Sequence, residues 1–421
     1  MTTDFSWLTS DPIAAVQSAH RASISLATTK GMLRSQAVAA MGEALKRSQN
    51  EILEANTLDL EASREMAVPD LILEWLKLTP ERIQTAAQLL KRLSELPDPI
   101  GRVMDASYQI DQCQTYSQLM PLGVISLIYE AFPELAALAA GLCIKTANSL
   151  VLKGGSEASH SNQAIAQALW GAIEQAGLPE GCLQVLSSDE GASVRDLIVQ
   201  DQYVNLIIPY GRPSLVQQVV RQATAPVLRS AMGNCYLYWS PSGSLEAVRW
   251  IILDSHRSEP DPVNAIEKVL IHPGQNPSSL VMLWNSLREK GFELRGDPVL
   301  VKEFPDLKPA EEMEWRQAYL DKIIAFKIVD SLEAAIAWIN LNSSGHADCL
   351  VTESYQESRQ FALGINSAST YVNASPRFSR NPKRGDSIFL GMSNQKGIRR
   401  GPISLQTLTT TKHIIQGLGQ F

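Results

Sequence analysis

Lys153-Gly154-Gly155-Ser156-Glu157 is the segment of this sequence best suited to hold a ligand. It stands between a predicted strand and a predicted helix. Adjacent glycines let a phosphate approach the backbone. The helix start adds N–H groups and the positive end of the helix dipole. Lys153 adds a cation or a ribose contact. The segment is neither GxGxxG nor a P-loop, so an ordinary glycine turn in a crossover explains it equally well. A second strand-end turn, Ile207-Ile208-Pro209-Tyr210-Gly211-Arg212-Pro213, falls where open α/β sheets bind ligands. It also reads as a plain connecting loop.

Candidates for nucleophilic or acid–base chemistry are few. Cys235, in Met232-Gly233-Asn234-Cys235-Tyr236, is either a nucleophile or a buried cysteine opening a strand. Cys143 on an apolar helix, and Cys182 and Cys349 on strands, read as core. His256 and Glu259 form either an acid–base pair or a solvated turn. Arg399-Arg400 and Lys383-Arg384 make the tail locally basic, suited to a phosphate or carboxylate or simply to solvent.

The elements that must position these residues follow from periodicity. Residues 11–96 read as helical, opened by Ser10-Asp11-Pro12 and carrying apolar residues at three- and four-residue spacing, as in Val38, Met41 and Leu45. Residues 102–120 alternate apolar and polar and predict a pair of strands. Beyond Pro121, strands and helices alternate to Ser187, and again over 236–372. This predicts parallel, doubly wound sheets with helical crossovers. The last fifty residues are rich in Gly, Asn, Ser and Arg and end in a LQTLTTTKHIIQ segment. Boundaries are expected near Gly233 and near Asn373.

Composition limits the rest. The chain has 421 residues, 45% hydrophobic and 19% charged, with a net charge of −7. That excludes a disordered chain and a small stapled scaffold, and predicts two or three domains. An acidic chain without a basic block is a poor nucleic-acid or anionic-membrane binder. Five dispersed cysteines (Cys113, Cys143, Cys182, Cys235, Cys349), with no CxxC pair, suit a reducing cytosol. Six scattered histidines without HExxH argue against zinc. The first residues do not read as a signal peptide, and the longest apolar stretch, near 119–128, is broken by Pro121 and Gly123. A cytoplasmic protein with no membrane insertion is expected.

Several motifs, in order along nearly the whole chain, resemble γ-glutamyl phosphate reductase (glutamate-5-semialdehyde dehydrogenase) of the aldehyde dehydrogenase superfamily. They are Met120-Pro121-Leu122-Gly123-Val124-Ile125, Tyr129-Glu130-Ala131, Leu150-Val151-Leu152 with Gly154-Gly155-Ser156-Glu157-Ala158, and Ser343-Ser344-Gly345-His346 before Val351-Thr352-Glu353. Ala368-Ser369-Thr370-Tyr371-Val372-Asn373-Ala374-Ser375 and Arg400-Gly401-Pro402 with Leu408-Thr409-Thr410 complete the set. The resemblance implies an aldehyde-dehydrogenase-like α/β fold. It would comprise a Rossmann-like cofactor-binding domain (1–101 and 121–235), a catalytic-type domain (236–373), and a β oligomerisation arm with the C-terminal tail (102–120 and 374–421). It implies a homo-oligomer, dimer or tetramer, and NADP(H) held at Lys153, Gly154, Gly155, Ser156 and Glu157. It also implies reduction of γ-glutamyl phosphate to the semialdehyde through a cysteine thioester, a step of proline biosynthesis.

That cysteine precedes an Asn-Ala-x-Glu motif in the family. Here the motif is Asn264-Ala265-Ile266-Glu267 and the preceding residue is Val263, which has no nucleophilic atom. The family's Gln-Arg-Pro is Ser258-Glu259-Pro260, and Phe132 stands where the family has an arginine. Pro-Arg-Gly-Gly is Pro209-Tyr210-Gly211-Arg212. The glutamate before Tyr-Leu-Asp, which helps hold the nicotinamide ribose in aldehyde dehydrogenases, is Ala318. The family's glycine-rich Phe-Gly-Leu-Gly-Ala-Glu segment is here 384–390. Cys235, 28 residues before Val263, occupies a position where the family often carries an additional cysteine. It is a poor substitute, because a displaced nucleophile loses near-attack geometry. The expectation is a pseudoenzyme, a binding or scaffold protein acting with itself or another protein. The alternatives are a working NADPH-dependent reductase and an NADP(H)-binding sensor.

Overall fold

The computed structural model describes residues 7–106, 108–187, 194–257, 262–382, 385 and 387–417. It divides into two compact units. One comprises 1–229, 380–390 and 403–421, the other 230–379 and 391–402.

The first unit begins with β1 (Leu8–Thr9) and five helices: α1 (Pro12–Ala27), α2 (Gly31–Arg47), α3 (Gln49–Glu65), α4 (Asp70–Leu76) and α5 (Pro80–Glu95). Asp11 caps α1 by accepting from the Ile13 and Ala14 amides, and Pro12 fills the first helical position. Then follow β2 (Val103–Asp105), β3 (Cys113–Pro121), β4 (Val124–Tyr129), α6 (Leu135–Lys145), β5 (Ser149–Gly154), α7 (Ser159–Gln175), β6 (Leu183–Leu186), α8 (Val194–Ile198), β7 (Leu206–Tyr210) and α9 (Pro213–Gln222). The parallel sheet runs β1-β6-β5-β4-β7. Strands β4, β5 and β7 are buried on both faces, as near-continuous apolar strands in a parallel sheet should be. Helix α6 is buried all round, as its sequence, apolar up to the terminal Lys145, requires.

The second unit holds β8 (Cys235–Trp239), α10 (Leu245–Ser255), β9 (Ile266–Ile271), α11 (Pro277–Glu289), β10 (Glu293–Gly296), α12 (Pro298–Glu303), β11 (Lys308–Pro309), β12 (Ile323–Ile328), α13 (Leu332–Asn342), β13 (Ala347–Val351), α14 (Tyr355–Gly364) and β14 (Ser369–Val372). A small antiparallel pair, β15 (Met392–Ser393) and β16 (Gly401–Pro402), completes it. Its seven-stranded sheet is parallel throughout, in the order β11-β10-β12-β9-β8-β13-β14. One side of the core gathers Trp239, Ile251, Val269, Trp284 and Phe326.

The strand pair expected over 102–120 has one dominant member. Strand β3 pairs along its whole length with β17 (Thr409–Gly417), and β2 adds only three residues. This antiparallel β17-β3-β2 sheet lies in the first unit.

Candidate functional site

Val263 lies in the turn just before β9 and is fully buried. Two donors meet its carbonyl: the Gly233 amide at 2.9 Å and His346 Nε2 at 2.8 Å. A carbonyl only accepts, so Nε2 carries the proton. His346 is itself fully buried just before β13, and burial pushes its pKa down to about 4, so the ring is neutral at pH 7. Its Nδ1 lies 2.9 Å from Ser344 Oγ.

Cys235 Sγ lies 3.3 Å from the same His346 Nε2. Cys235 and Val263 therefore share one histidine, and the sequence distance between them is no spatial distance. Proximity does not activate the thiol. The nearby nitrogen already carries its proton and directs it at Val263, so it is no base. Burial, reinforced by Asp348, pushes the Cys235 thiol well above its ordinary value. A buried neutral thiol beside a neutral, proton-bearing imidazole is a core contact.

Glu267 and Lys268 form a polar hub beneath this site, both fully buried. The Glu267 carboxylate accepts from the amides of Asn234 (3.3 Å), Tyr319 (2.7 Å) and Leu320 (2.8 Å) and from Lys268 Nζ (3.4 Å). Asn234 and Leu320 both have positive φ, at 52° and 55°. One carboxylate thus holds two residues in the left-handed region, which side-chain-bearing residues adopt only when the surroundings fix them. Lys268 also donates to Gln317 O and lies 3.6 Å from the Tyr319 ring centroid. Burial pulls its pKa down to about 8, against the opposing pull of Glu267. Ala318 stands in the clamped loop. A Cβ on Gly233 would come within 2.8 Å of the Ala318 methyl and 3.3 Å of Glu267 Oε1. Asn264 donates to Pro376 O, while its own Oδ1 is buried without a partner among the described residues.

In the first unit, the Gly154-Gly155 turn is lined by the chain's own polar groups. The first α7 amides are taken: His160 and Ser161 N–H donate to the buried Asp59 carboxylate at 3.0 and 2.7 Å. The space above Gly155 is filled, since a Cβ there would lie 2.2 Å from the Glu157 carboxylate. Glu157 Oε1 accepts from the Ala131 amide at 2.6 Å, and burial raises its pKa. A Cβ on Gly154 would meet Asn162 Nδ2 at 2.1 Å. Asn162 in turn accepts from Tyr129 Oη, so this glycine serves packing. Lys153 Nζ donates to Ser187 O at 2.7 Å. A carboxylate over a glycine fits a hydroxylated ligand edge such as a ribose, and repels a phosphate.

The second turn is no plain loop. Glu130, at the end of β4, takes Arg212 in a two-pronged pair: Nε–Oε2 3.2 Å and Nη2–Oε1 2.8 Å. The Arg212 amide also donates to Oε2 at 2.9 Å. Phe132 is buried, stacked on Trp75 at 4.7 Å and edge-on to Tyr210 at 5.7 Å. Two further candidates bond within the chain. His256 Nε2 donates to Ile266 O at 3.0 Å, while Glu259 and Lys383-Arg384 lie outside the described residues. Arg400 Nη2 donates to Asn366 O at 2.5 Å. Cys143, Cys182 and Cys349 are buried free thiols with raised pKa values. Among the described residues no cluster of His, Cys, Asp or Glu is arranged to hold a metal, and no helix is long and apolar enough to cross a membrane.

Sequence reasoning missed His346, the Glu267–Lys268 hub and the Arg212–Glu130 pair. The Ser-Ser-Gly-His motif was the only available pointer to His346.

A sequence model of the aldehyde dehydrogenase family matches residues 9–233. The chain is 56% identical to gamma-glutamyl phosphate reductase 2 of Synechocystis, covering 97% of this chain and 99% of that protein. It is 41% identical to gamma-glutamyl phosphate reductase of Gloeobacter violaceus over 96% of each. The crystal structure of the Thermotoga maritima gamma-glutamyl phosphate reductase superposes with a TM-score of 0.89 at 32% identity, covering 97% of this chain and 99% of that one. A probable aldehyde dehydrogenase of Listeria monocytogenes, at 14% identity and TM-score 0.73, shares the fold. Fold and sequence together make the chain a member of the γ-glutamyl phosphate reductases, within the aldehyde dehydrogenase family.

Proposed function

We propose that this protein binds the ligands of γ-glutamyl phosphate reduction, a nicotinamide nucleotide and a γ-glutamyl acyl group, without forming a thioester at residue 263. The observation that carries this reading is Val263 itself: buried, held by two hydrogen bonds to its carbonyl, and carrying only methyl groups. A thioester needs a sulfur there, and no rotamer of valine provides one. Cys235 does not replace it, being a neutral thiol with no free base at hand. In this reading Lys153 and Glu157 hold ribose hydroxyls of NADP(H), which supplies a hydride when bound. The protein then works as a binding or scaffold partner, or as a nucleotide sensor.

A second reading is favoured by a different observation, the 56% identity to a protein named gamma-glutamyl phosphate reductase 2. It is NADPH-dependent reduction of L-glutamyl 5-phosphate to glutamate-5-semialdehyde by a route that bypasses residue 263. The names of the relatives support this activity more directly than they support a scaffold.

One experiment separates the two. The protein is titrated with NADPH by calorimetry, then supplied with γ-glutamyl phosphate, or run in reverse with the semialdehyde and phosphate. Binding without turnover is the expected result. Turnover that survives Cys235→Ser establishes the second reading and removes the first. No binding of either ligand leaves only the scaffold.

A further inference from the structure

The order β1-β6-β5-β4-β7 reverses direction at β4. The chain leaves β4 for β5 on one side, then returns from β6 to β7 on the other. The crevice outside the carboxyl ends of β4 and β7 is thus the switch point, where open α/β sheets bind ligands. In this chain that crevice is bridged by its own side chains. Glu130 follows β4 and Arg212 follows β7, and they make the two-pronged pair described above. The Glu130 amide donates to Tyr210 O, and the Arg212 amide to Glu130 Oε2, so backbone and side chain close the two strand ends together. Gly211, at φ 149°, permits the approach, for a Cβ there would lie 2.8 Å from Glu130 Oε2.

Arg212 is only part-committed. Its side chain is 43% exposed, against 16% for Glu130, and among the described residues its Nη1 has no hydrogen-bond partner. Glu157 stands beside the pair and adds a second carboxylate to the cluster. A planar guanidinium at a ligand crevice is suited to bind a phosphate, and here a carboxylate occupies the positions such an anion would take.

We propose that Arg212 is the anion-recognition residue of this crevice and that Glu130 is an internal competitor, which a phosphate-bearing nucleotide must displace in order to bind. The inference rests on the nucleotide-binding reading above and adds a named residue and a direction of control. The exchange is one of hydrogen bonds only. Arg212 trades the Glu130 carboxylate for a phosphate oxygen, and Glu130 turns to solvent.

Calorimetry with NADPH, NADH and inorganic phosphate, on wild type, Glu130→Gln, Arg212→Gln and Arg212→Lys, tests it. Gln at 130 keeps the acceptor for the Arg212 amide and removes the competing charge. NADPH affinity should rise about tenfold in Glu130→Gln and fall about tenfold in Arg212→Gln, the size of one charge-assisted hydrogen bond at a partly exposed site. Arg212→Lys should fall between wild type and Arg212→Gln. A parallel gain for inorganic phosphate in Glu130→Gln supports the same seat with a free anion. If NADPH binds but Glu130→Gln leaves its affinity within about twofold, the competition is overturned while nucleotide binding stands. If no nucleotide binds wild type or Glu130→Gln, both are overturned. Should Arg212→Gln fail to fold, the Glu130→Gln result decides alone.

Discussion

His346 Nε2 donates to the carbonyl of Val263 at 2.8 Å, so the backbone of the residue that lacks a nucleophile is still held in place. Side chain and backbone have parted company at this position. Two donors fix the backbone of residue 263, and its side chain carries only methyl groups. Placing a thiol there tests how much of the surrounding chemistry remains.

Val263→Cys should fold, because it replaces two buried methyls by one small thiol. It should gain little semialdehyde formation. The new thiol would share the burial of Val263, which raises its pKa, and the His346 imidazole already donates its proton to the 263 carbonyl. NADPH oxidation with γ-glutamyl phosphate measures it. A rate within about tenfold of the Thermotoga relative's would mean the site is otherwise intact.

His346 and Asp348 act oppositely with pH. His346 titrates at about 4 in the fold against 6.5 unfolded, so unfolding takes up a proton there. Its contribution is present above 6.5 and is lost as pH falls through 4. Asp348, pushed up to about 6 by burial against 3.8 unfolded, contributes at low pH and loses that contribution as pH rises through 6. Each is worth about 3 kcal/mol, and they largely cancel between pH 4 and 6. His346→Gln keeps a donor for Val263 but removes one partner of the cancellation. Its stability deficit against wild type, from urea unfolding, should shrink by about 3 kcal/mol from pH 6.5 to 4. An equal deficit at both values would refute the assignment.

Glu267→Ala should be among the most damaging single changes. It strands three amides, frees the left-handed Asn234 and Leu320, and leaves Lys268 buried without its counter-charge. The expected loss is about 3–5 kcal/mol. A loss below about 1 kcal/mol by urea unfolding would show that the hub contributes little net stability.

The β17-β3-β2 sheet carries apolar side chains into solvent, with Ile415 46% and Val103 60% exposed. A homo-oligomer that covers them accounts for their exposure. Ile415→Asp should reduce the mass seen by light scattering to that of a smaller species, leaving the circular dichroism unchanged. A wild type that is already monomeric, or a variant of unchanged mass, would remove the sheet as an oligomerisation arm. The point substitution is cleaner than deleting 406–421, because β17 supplies the β3 hydrogen bonds over nine residues.

The expected α/β alternation, the apolar strands and the helical first hundred residues all appear in the structure, because each depends on local periodicity and on burial. That residue 263 is a valine was equally plain, since it is a property of one side chain and no packing changes it. What surrounds the Gly-Gly turn was not legible. Its sequence leaves the α7 amides open, and the structure fills them with Asp59, about a hundred residues earlier in the chain. His346 reaches Val263 across 83 residues and Arg212 reaches Glu130 across 82. Such partners meet only once the strand register is set, here β4 against β7 from Ile125 with Leu206 to Tyr129 with Tyr210. Hydrogen bonds demand ångström placement, which residue types alone do not encode. The sequence therefore determined which side chain stands at residue 263, and the tertiary structure decided which groups hold it.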